Sequence, residues 1–142
     1  RGSNATPTLT DLDSDGDADL LIGSSGGRLY YFENQGTTSD PNFQLIDDAF
    51  PNVKVQHRSA PTLFDIDGDG DKDLFVGSKV DGVLFYENTG TASEPDFTLS
   101  EPPFELNVTQ FSTPYITDFN GDGKPDIFSG TKEGGILYFT YP

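Results

Sequence analysis

Apolar residues in this chain gather in short runs separated by dense polar stretches, and no segment shows the 3.6-residue spacing of an amphipathic helix. The runs Leu29-Tyr-Tyr-Phe32, Val83-Leu-Phe-Tyr86 and Ile136-Leu-Tyr-Phe139 are continuous rather than alternating, which predicts strands covered on both faces. With 16 Gly and 10 Pro breaking the chain every few residues, the pattern predicts an all-strand protein with almost no helix. In the first third the expected strands are Thr8–Leu12, Leu20–Ile22, Leu29–Phe32 and Phe43–Ile46, with Phe97–Leu99 as the later counterpart of the fourth.

The runs recur in register. Pro7, Pro61 and Pro114 are spaced by 54 and then 53 residues, as are Gly23, Gly77 and Gly130. Two copies continue almost identically, as Glu33-Asn34-Gln-Gly36-Thr37 and Glu87-Asn88-Thr-Gly90-Thr91, and close on Pro41-Asn-Phe43 and Pro95-Asp-Phe97. A period near 53 points to a repeat architecture such as a propeller, solenoid or array. The repeats divide the chain into 1–47, 48–101 and 102–142, the last lacking its fourth strand.

Between the first two strands of each repeat lies one acidic loop, D-x-[DN]-x-D-G-x-x-D, at residues 11–19, 65–73 and 118–126. Oxygen ligands at positions 1, 3, 5 and 9 with the backbone carbonyl of position 7 can surround one hard cation, and Gly at position 6 permits the sharp turn. The candidate ligands are Asp11, Asp13, Asp15, Asp17 and Asp19; Asp65, Asp67, Asp69, Asp71 and Asp73; and Asp118, Asn120, Asp122, Lys124 and Asp126. Asp17, Asp71 and Lys124 enter through their carbonyls. Carboxylates this crowded repel one another unless a divalent cation neutralises them, and Ca²⁺ suits such a site better than the smaller, more hydrated Mg²⁺. The expectation is about three Ca²⁺, one per repeat, in a structural role. An EF-hand loop begins the same way but needs an acidic ligand at position 12, where this chain has Ile22, Val76 and Ser129. Asn120 and Lys124 leave the third loop less negative, so it is the weaker site.

The unit Pro-x-Leu-x-Asp-Leu-Asp-x-Asp-Gly-Asp-x-Asp-Leu-Leu-Ile-Gly…Tyr-Phe-Glu-Asn resembles the FG-GAP/VCBS repeat, and the resemblance covers nearly the whole chain in three copies. It implies the four-stranded antiparallel blades of integrin-alpha-like β-propellers, with the loop residues above as metal ligands, in a secreted or cell-surface protein. That family hosts adhesins, lectin-like domains, polysaccharide-degrading enzymes and spacers. The implied function is a calcium-stabilised extracellular scaffold or adhesion module presenting a protein- or glycan-binding surface. The alternatives are part of a secreted polysaccharide-degrading enzyme and a self-assembling surface fibre.

Charge and composition narrow this further. The 24 acidic residues against 8 basic ones give −16, which argues against nucleic acid or an anionic membrane as partner. No run is long enough to insert into a membrane, and with no cysteine there is neither a disulfide nor a thiolate metal site. Extracellular-type loops bind Ca²⁺ at roughly 10⁻⁴–10⁻³ M and would stand nearly empty in cytosol. Met is absent, so Arg1 is not a translation start and the chain reads as a piece of a longer precursor.

Nothing points to catalysis. His57, the lone histidine, has no nucleophile or acid motif around it, and Glu33 and Glu87 occupy equivalent repeat positions. Most of the 12 Phe and 6 Tyr fall at repeat-equivalent strand positions and read as blade core, leaving Phe50, Phe104, Phe111 and Tyr115 as candidate ligand-stacking residues. The sequons at Asn4 and Asn107 are close to the roughly one expected by chance. Propellers close with about four to eight blades, so three blades are either a segment of a larger propeller or a unit that self-associates through its exposed blade faces, as a ring or head to tail.

Overall fold

The computed structural model describes residues 3–46, 50–108, 110 and 112–140; Arg1, Phe111, Thr109 of the second sequon and Tyr141-Pro142 lie outside the described residues. Three antiparallel sheets follow one another along the chain. Strands β1 (Thr6–Thr10), β2 (Asp19–Gly23), β3 (Leu29–Asn34) and β4 (Phe43–Ile46) form the first as a simple meander. The second contains β5 (Ser59–Phe64), β6 (Asp73–Ser78), β7 (Val83–Asn88) and β8 (Phe97–Ser100), and the third β9 (Thr113–Thr117), β10 (Asp126–Gly130) and β11 (Ile136–Thr140). Register repeats with the sequence: Leu21 pairs with Thr8 and Tyr31, Phe75 with Thr62 and Phe85, and Phe128 with Tyr115 and Tyr138. The first strands β1, β5 and β9 lie side by side, so the sheets fan outward as propeller blades. The protein is all-β, with no helix among the described residues and hence none long and apolar enough to cross a membrane.

The first strand begins and ends two residues earlier than the sequence suggests. Leu12 is buried, but its N–H is donated to Asp19 Oδ2 at 2.9 Å, which removes it from the β ladder and makes it part of the loop.

The core lies between blades. Leu12, Leu21, Val53, Val55, Leu74, Val76, Tyr86 and Phe97 fill the space between blades 1 and 2, and Ile66, Phe75, Phe85, Ile116 and Ile127 that between blades 2 and 3. Strand β6 shows why a continuous apolar run was needed. Leu74 and Val76 face one neighbour, Phe75 faces the other, and all three are fully buried. Among the three runs expected to be covered on both faces, β7 comes nearest, with Phe85 and Tyr86 buried against opposite neighbours. Leu29–Phe32 of β3 are only half-buried, and on β11 Ile136 is 76% and Tyr138 50% exposed, because no described blade covers the outer face of blade 3.

Two glycines set how closely blades approach. A Cβ on Gly23 would overlap the Ser59 carbonyl, and one on Gly77 would overlap the Ser112 carbonyl and stand 2.5 Å from Pro114 Cδ. Serine hydroxyls complete both seams. Ser59 Oγ accepts from Ser24 N at 2.8 Å and donates to Arg28 O at 2.8 Å; Ser112 Oγ accepts from Ser78 N at 3.3 Å and donates to Gly82 O. The meander leaves the acidic loops and the β3–β4 and β7–β8 turns at one end, with the β2–β3, β6–β7 and β10–β11 hairpins and the inter-blade connectors at the other.

Candidate metal centre

Each acidic loop links the first two strands of its blade and is folded by its own carboxylates. In loop 1 Asp11 Oδ2 accepts from Gly16 N at 3.2 Å, Asp13 Oδ1 from Asp15 N at 3.3 Å and Asp15 Oδ1 from Asp17 N at 3.0 Å. Loop 2 repeats these bonds with Asp65, Asp67 and Asp69, and loop 3 with Asp118, Asn120 and Asp122. The position-6 glycines Gly16, Gly70 and Gly123 take φ of 96°, 99° and 81°, a left-handed turn that side chains resist.

The wrap gathers the carboxylates of positions 1, 3 and 5. One oxygen from each of Asp11, Asp13 and Asp15 lies within 4.8 Å of the others, and the same holds for Asp65, Asp67 and Asp69. Two oxygens on one Ca²⁺ at about 2.3–2.6 Å can be no more than about 5 Å apart, so the spacing fits a shared ion. Two further oxygens, Asp11 Oδ1 and Asp17 Oδ1, are buried without a hydrogen-bond partner, a state that a cation would satisfy. Burial, followed by the charge of Asp19, pushes the Asp13 carboxyl above its ordinary range; burial and then Asp69, Asp67 and Asp65 do the same to Asp71.

Position 9 behaves differently. Asp19, Asp73 and Asp126 are buried and turn into the blade. Asp19 Oδ1 accepts from Asn34 N at 2.8 Å, and its Oδ2 accepts from Leu12 N and, at 3.1 Å, from the Tyr31 hydroxyl. Asp73 accepts from Asn88 N at 2.8 Å and Ile66 N at 3.3 Å, and burial still raises its pKa to about 6. Asp126 accepts from Phe119 N at 3.0 Å and the Tyr138 hydroxyl at 2.7 Å. Each therefore clamps the start of its loop to the third strand, on the inner side of the positions 1, 3 and 5. In loop 3 Asn120 Nδ2 donates to Asp122 Oδ2 at 3.1 Å, so an amide there compensates part of the charge.

Two residues that the sequence reading passed over support the loops. Asn34 and Asn88 end β3 and β7; the Oδ1 of Asn34 accepts from Gly36 N at 3.1 Å and Asn42 N at 2.8 Å, and that of Asn88 from Gly90 N and Asp96 N, both at 3.0 Å. The repeated Glu-Asn-x-Gly-Thr was the available signal. The candidate stacking aromatics are mostly consumed by packing: Phe50 sits 5.6 Å from Tyr31 and 5.1 Å from Phe97, and Phe104 stacks on Phe75. Tyr115 is 63% exposed. His57 is exposed in a left-handed conformation (φ 56°) on the connector entering blade 2.

The FG-GAP-like repeat family matches residues 11–76 and 65–129. The T-cell immunomodulatory protein of Mus musculus is 30% identical over 149 residues, covering 93% of this chain and 22% of the relative. Integrin alpha-3 of Cricetulus griseus is 33% identical over 146 residues (91% of this chain, 14% of the relative), and integrin alpha-7 of Rattus norvegicus 28% over 137 residues (87% and 12%). The chain thus spans less than a quarter of the length of these curated relatives.

Proposed function

The chain belongs to the FG-GAP-like repeat family, and on that premise we propose that it is a calcium-stabilised extracellular module that presents a ligand-binding surface, with no catalytic role. The observation that carries the proposal is the convergence of three carboxylate oxygens in each of the first two loops, joined in loop 1 by the buried, unpartnered acceptors Asp11 Oδ1 and Asp17 Oδ1. In each loop positions 1, 3 and 5 would supply side-chain oxygens, position 7 its carbonyl, and position 9 its charge and the brace to the third strand. The residues that build each site are then Asp11, Asp13, Asp15, Asp17 and Asp19; Asp65, Asp67, Asp69, Asp71 and Asp73; and Asp118, Asn120, Asp122, Lys124 and Asp126, the ninth position of each acting through its charge and its brace. Bound calcium neutralises the loop and fixes the turn between two strands, so blade rigidity follows external calcium. At about 1 mM Ca²⁺ and a Kd near 0.1 mM, each site adds ~1.4 kcal/mol. The partner is a protein or a glycan, and names such as integrin among the relatives favour a protein.

The test is Asp69→Ala melted with and without calcium. Stability should fall by about 1–2 kcal/mol in 2 mM Ca²⁺ and much less in calcium-free buffer; equal losses would refute a structural ion.

A second reading, assembly through blade faces, is favoured by blade 3. Phe119 is 74% exposed, whereas the equivalent Leu12 and Ile66 are 3% and 7% exposed beneath the next blade. Light scattering in calcium should then give masses above the monomer, and a monomer throughout would remove this reading.

A further inference from the structure

We propose that the cation sites of blades 1 and 2, given calcium in the loops, bind it as a coupled pair, and that the transmitting residues are Ser14 and Lys72. Both reach across the blade seam. Lys72 is position 8 of loop 2, and its ammonium donates to Asp11 O at 2.7 Å and Thr10 Oγ1 at 3.0 Å, at the first ligand of loop 1. Ser14 is position 4 of loop 1, and its hydroxyl donates to Ala92 O at 3.0 Å in the β7–β8 turn of blade 2.

Neither residue is repeat furniture. Position 8 is Ala18 in loop 1 and Pro125 in loop 3, which carry no ammonium. Position 4 is Gly68 in loop 2 and Gly121 in loop 3, at φ 80° and 77°; Ser14 takes the same left-handed backbone at φ 61°, which a serine adopts only at a cost. Its hydroxyl bond to the next blade offsets that cost.

The turn that Ser14 grips is built from loop 2. Asn88 donates its N–H to Asp73 Oδ1 at 2.8 Å, and Asp73 closes that loop. The Asn88 side chain then holds the turn, accepting from Gly90 and Asp96 and donating to Thr91 O at 3.3 Å. One path therefore runs from Ser14 through the turn and Asn88 to Asp73, and a second returns from Lys72 to Asp11. Wrapping loop 1 around an ion fixes Ser14 between Asp13 and Asp15 and steadies the turn; wrapping loop 2 fixes Lys72 and the same turn. Each ion supplies part of the ordering that the other requires, and such coupling is reciprocal. Repulsion between the two ions opposes it but is screened over about 8 Å at physiological salt, while the hydrogen-bonded path is not.

The experiment is calcium titration in 0.15 M KCl followed by the backbone amide resonances of Gly16 in loop 1 and of Gly90 and Asp96 in the shared turn. Asp67→Asn in loop 2 should weaken calcium binding at loop 1 about three- to tenfold, and Asp122→Asn in loop 3 should change it less than twofold. In a Ser14→Gly/Lys72→Gln background, Asp67→Asn should no longer affect loop 1. Glycine suits the left-handed backbone and glutamine keeps the length of the lysine, so this background retains the fold. An effect of Asp67→Asn on loop 1 no larger than that of Asp122→Asn, or one that survives in the double variant, overturns the coupling. Absence of calcium binding at every loop of the wild type overturns the calcium reading itself.

Discussion

Three chemically identical substitutions should have very different costs if blade packing is what the glycines serve. In Gly77→Ala the new methyl overlaps the Ser112 carbonyl, lies 2.9 Å from its carbon and 2.5 Å from Pro114 Cδ. These are backbone and ring atoms that cannot rotate away. Restoring ordinary contact moves the start of β9 outward by roughly 1 Å, an overpacking cost of about 1–3 kcal/mol. That shift also strains the two bonds of Ser112 Oγ, each worth about 1 kcal/mol. The total is about 4 kcal/mol, or roughly 12 °C of melting temperature for a domain of this size. Gly23→Ala meets the corresponding carbonyl of Ser59 and should cost as much. At Gly130 the methyl meets only Thr113 Oγ1, at 2.8 Å, the end of a side chain within its own blade. That substitution should cost less than about 1 kcal/mol. Thermal melts of the three variants in saturating calcium decide the matter. Equal losses at Gly77 and Gly130 would mean that the glycines answer to strand geometry within a blade, and the seam argument would be wrong.

Other expectations follow from the same contacts. Asp73, raised to about 6 by burial, gains stability from its proton at low pH, and this is lost as pH rises from about 4 through 6. Calcium-stripped protein should therefore melt lower at pH 6.5 than at pH 4.5, and calcium-loaded protein should show the opposite trend because protons compete with the ion; a rising profile in the stripped protein contradicts the argument. Asn88→Ala removes the frame of the β7–β8 turn and should cost about 2–3 kcal/mol by denaturant titration, with a loss under about 0.5 kcal/mol counting against that role. Tyr86→Phe removes a hydroxyl that donates to Lys54 O at 2.9 Å and accepts from Lys54 N at 3.3 Å; a loss of about 1–2 kcal/mol is expected in the same assay, and none would show that solvent replaces both bonds.

The features legible in the sequence were those fixed within one repeat. Strand order, the acidic loops and their position-6 glycines depend on local chemistry repeated three times, so register alone revealed them. What escaped depends on the neighbouring blade or on which way a side chain turns. Asp19 and Asp13 look alike in sequence, yet one faces backbone amides and the other joins the carboxylate cluster. Ser59 and Ser112 look like linker residues until the facing carbonyls are known. Phe50 and Phe104, set apart because they lie between repeats, turn out to plug the seams. The exposure of β11 was invisible for the same reason, since its residues match those of the half-buried β3 and the better-covered β7.

The meander also separates charge. Among the described residues, eighteen acidic residues lie at the loop-and-turn end, joined there only by Lys72 and Lys124, so those residues together carry −16, as much as the whole chain. The strands that separate it from the hairpin end are five or six residues long in the inner positions, about 17–20 Å. That is roughly two screening lengths at physiological salt. A ligand approaching the hairpins therefore feels little of the field of the loops, whether they are loaded or bare. On the proposed calcium reading, the ion would govern recognition at that pole through the stiffness of the blades, and an acidic ligand there would meet little repulsion from the loops.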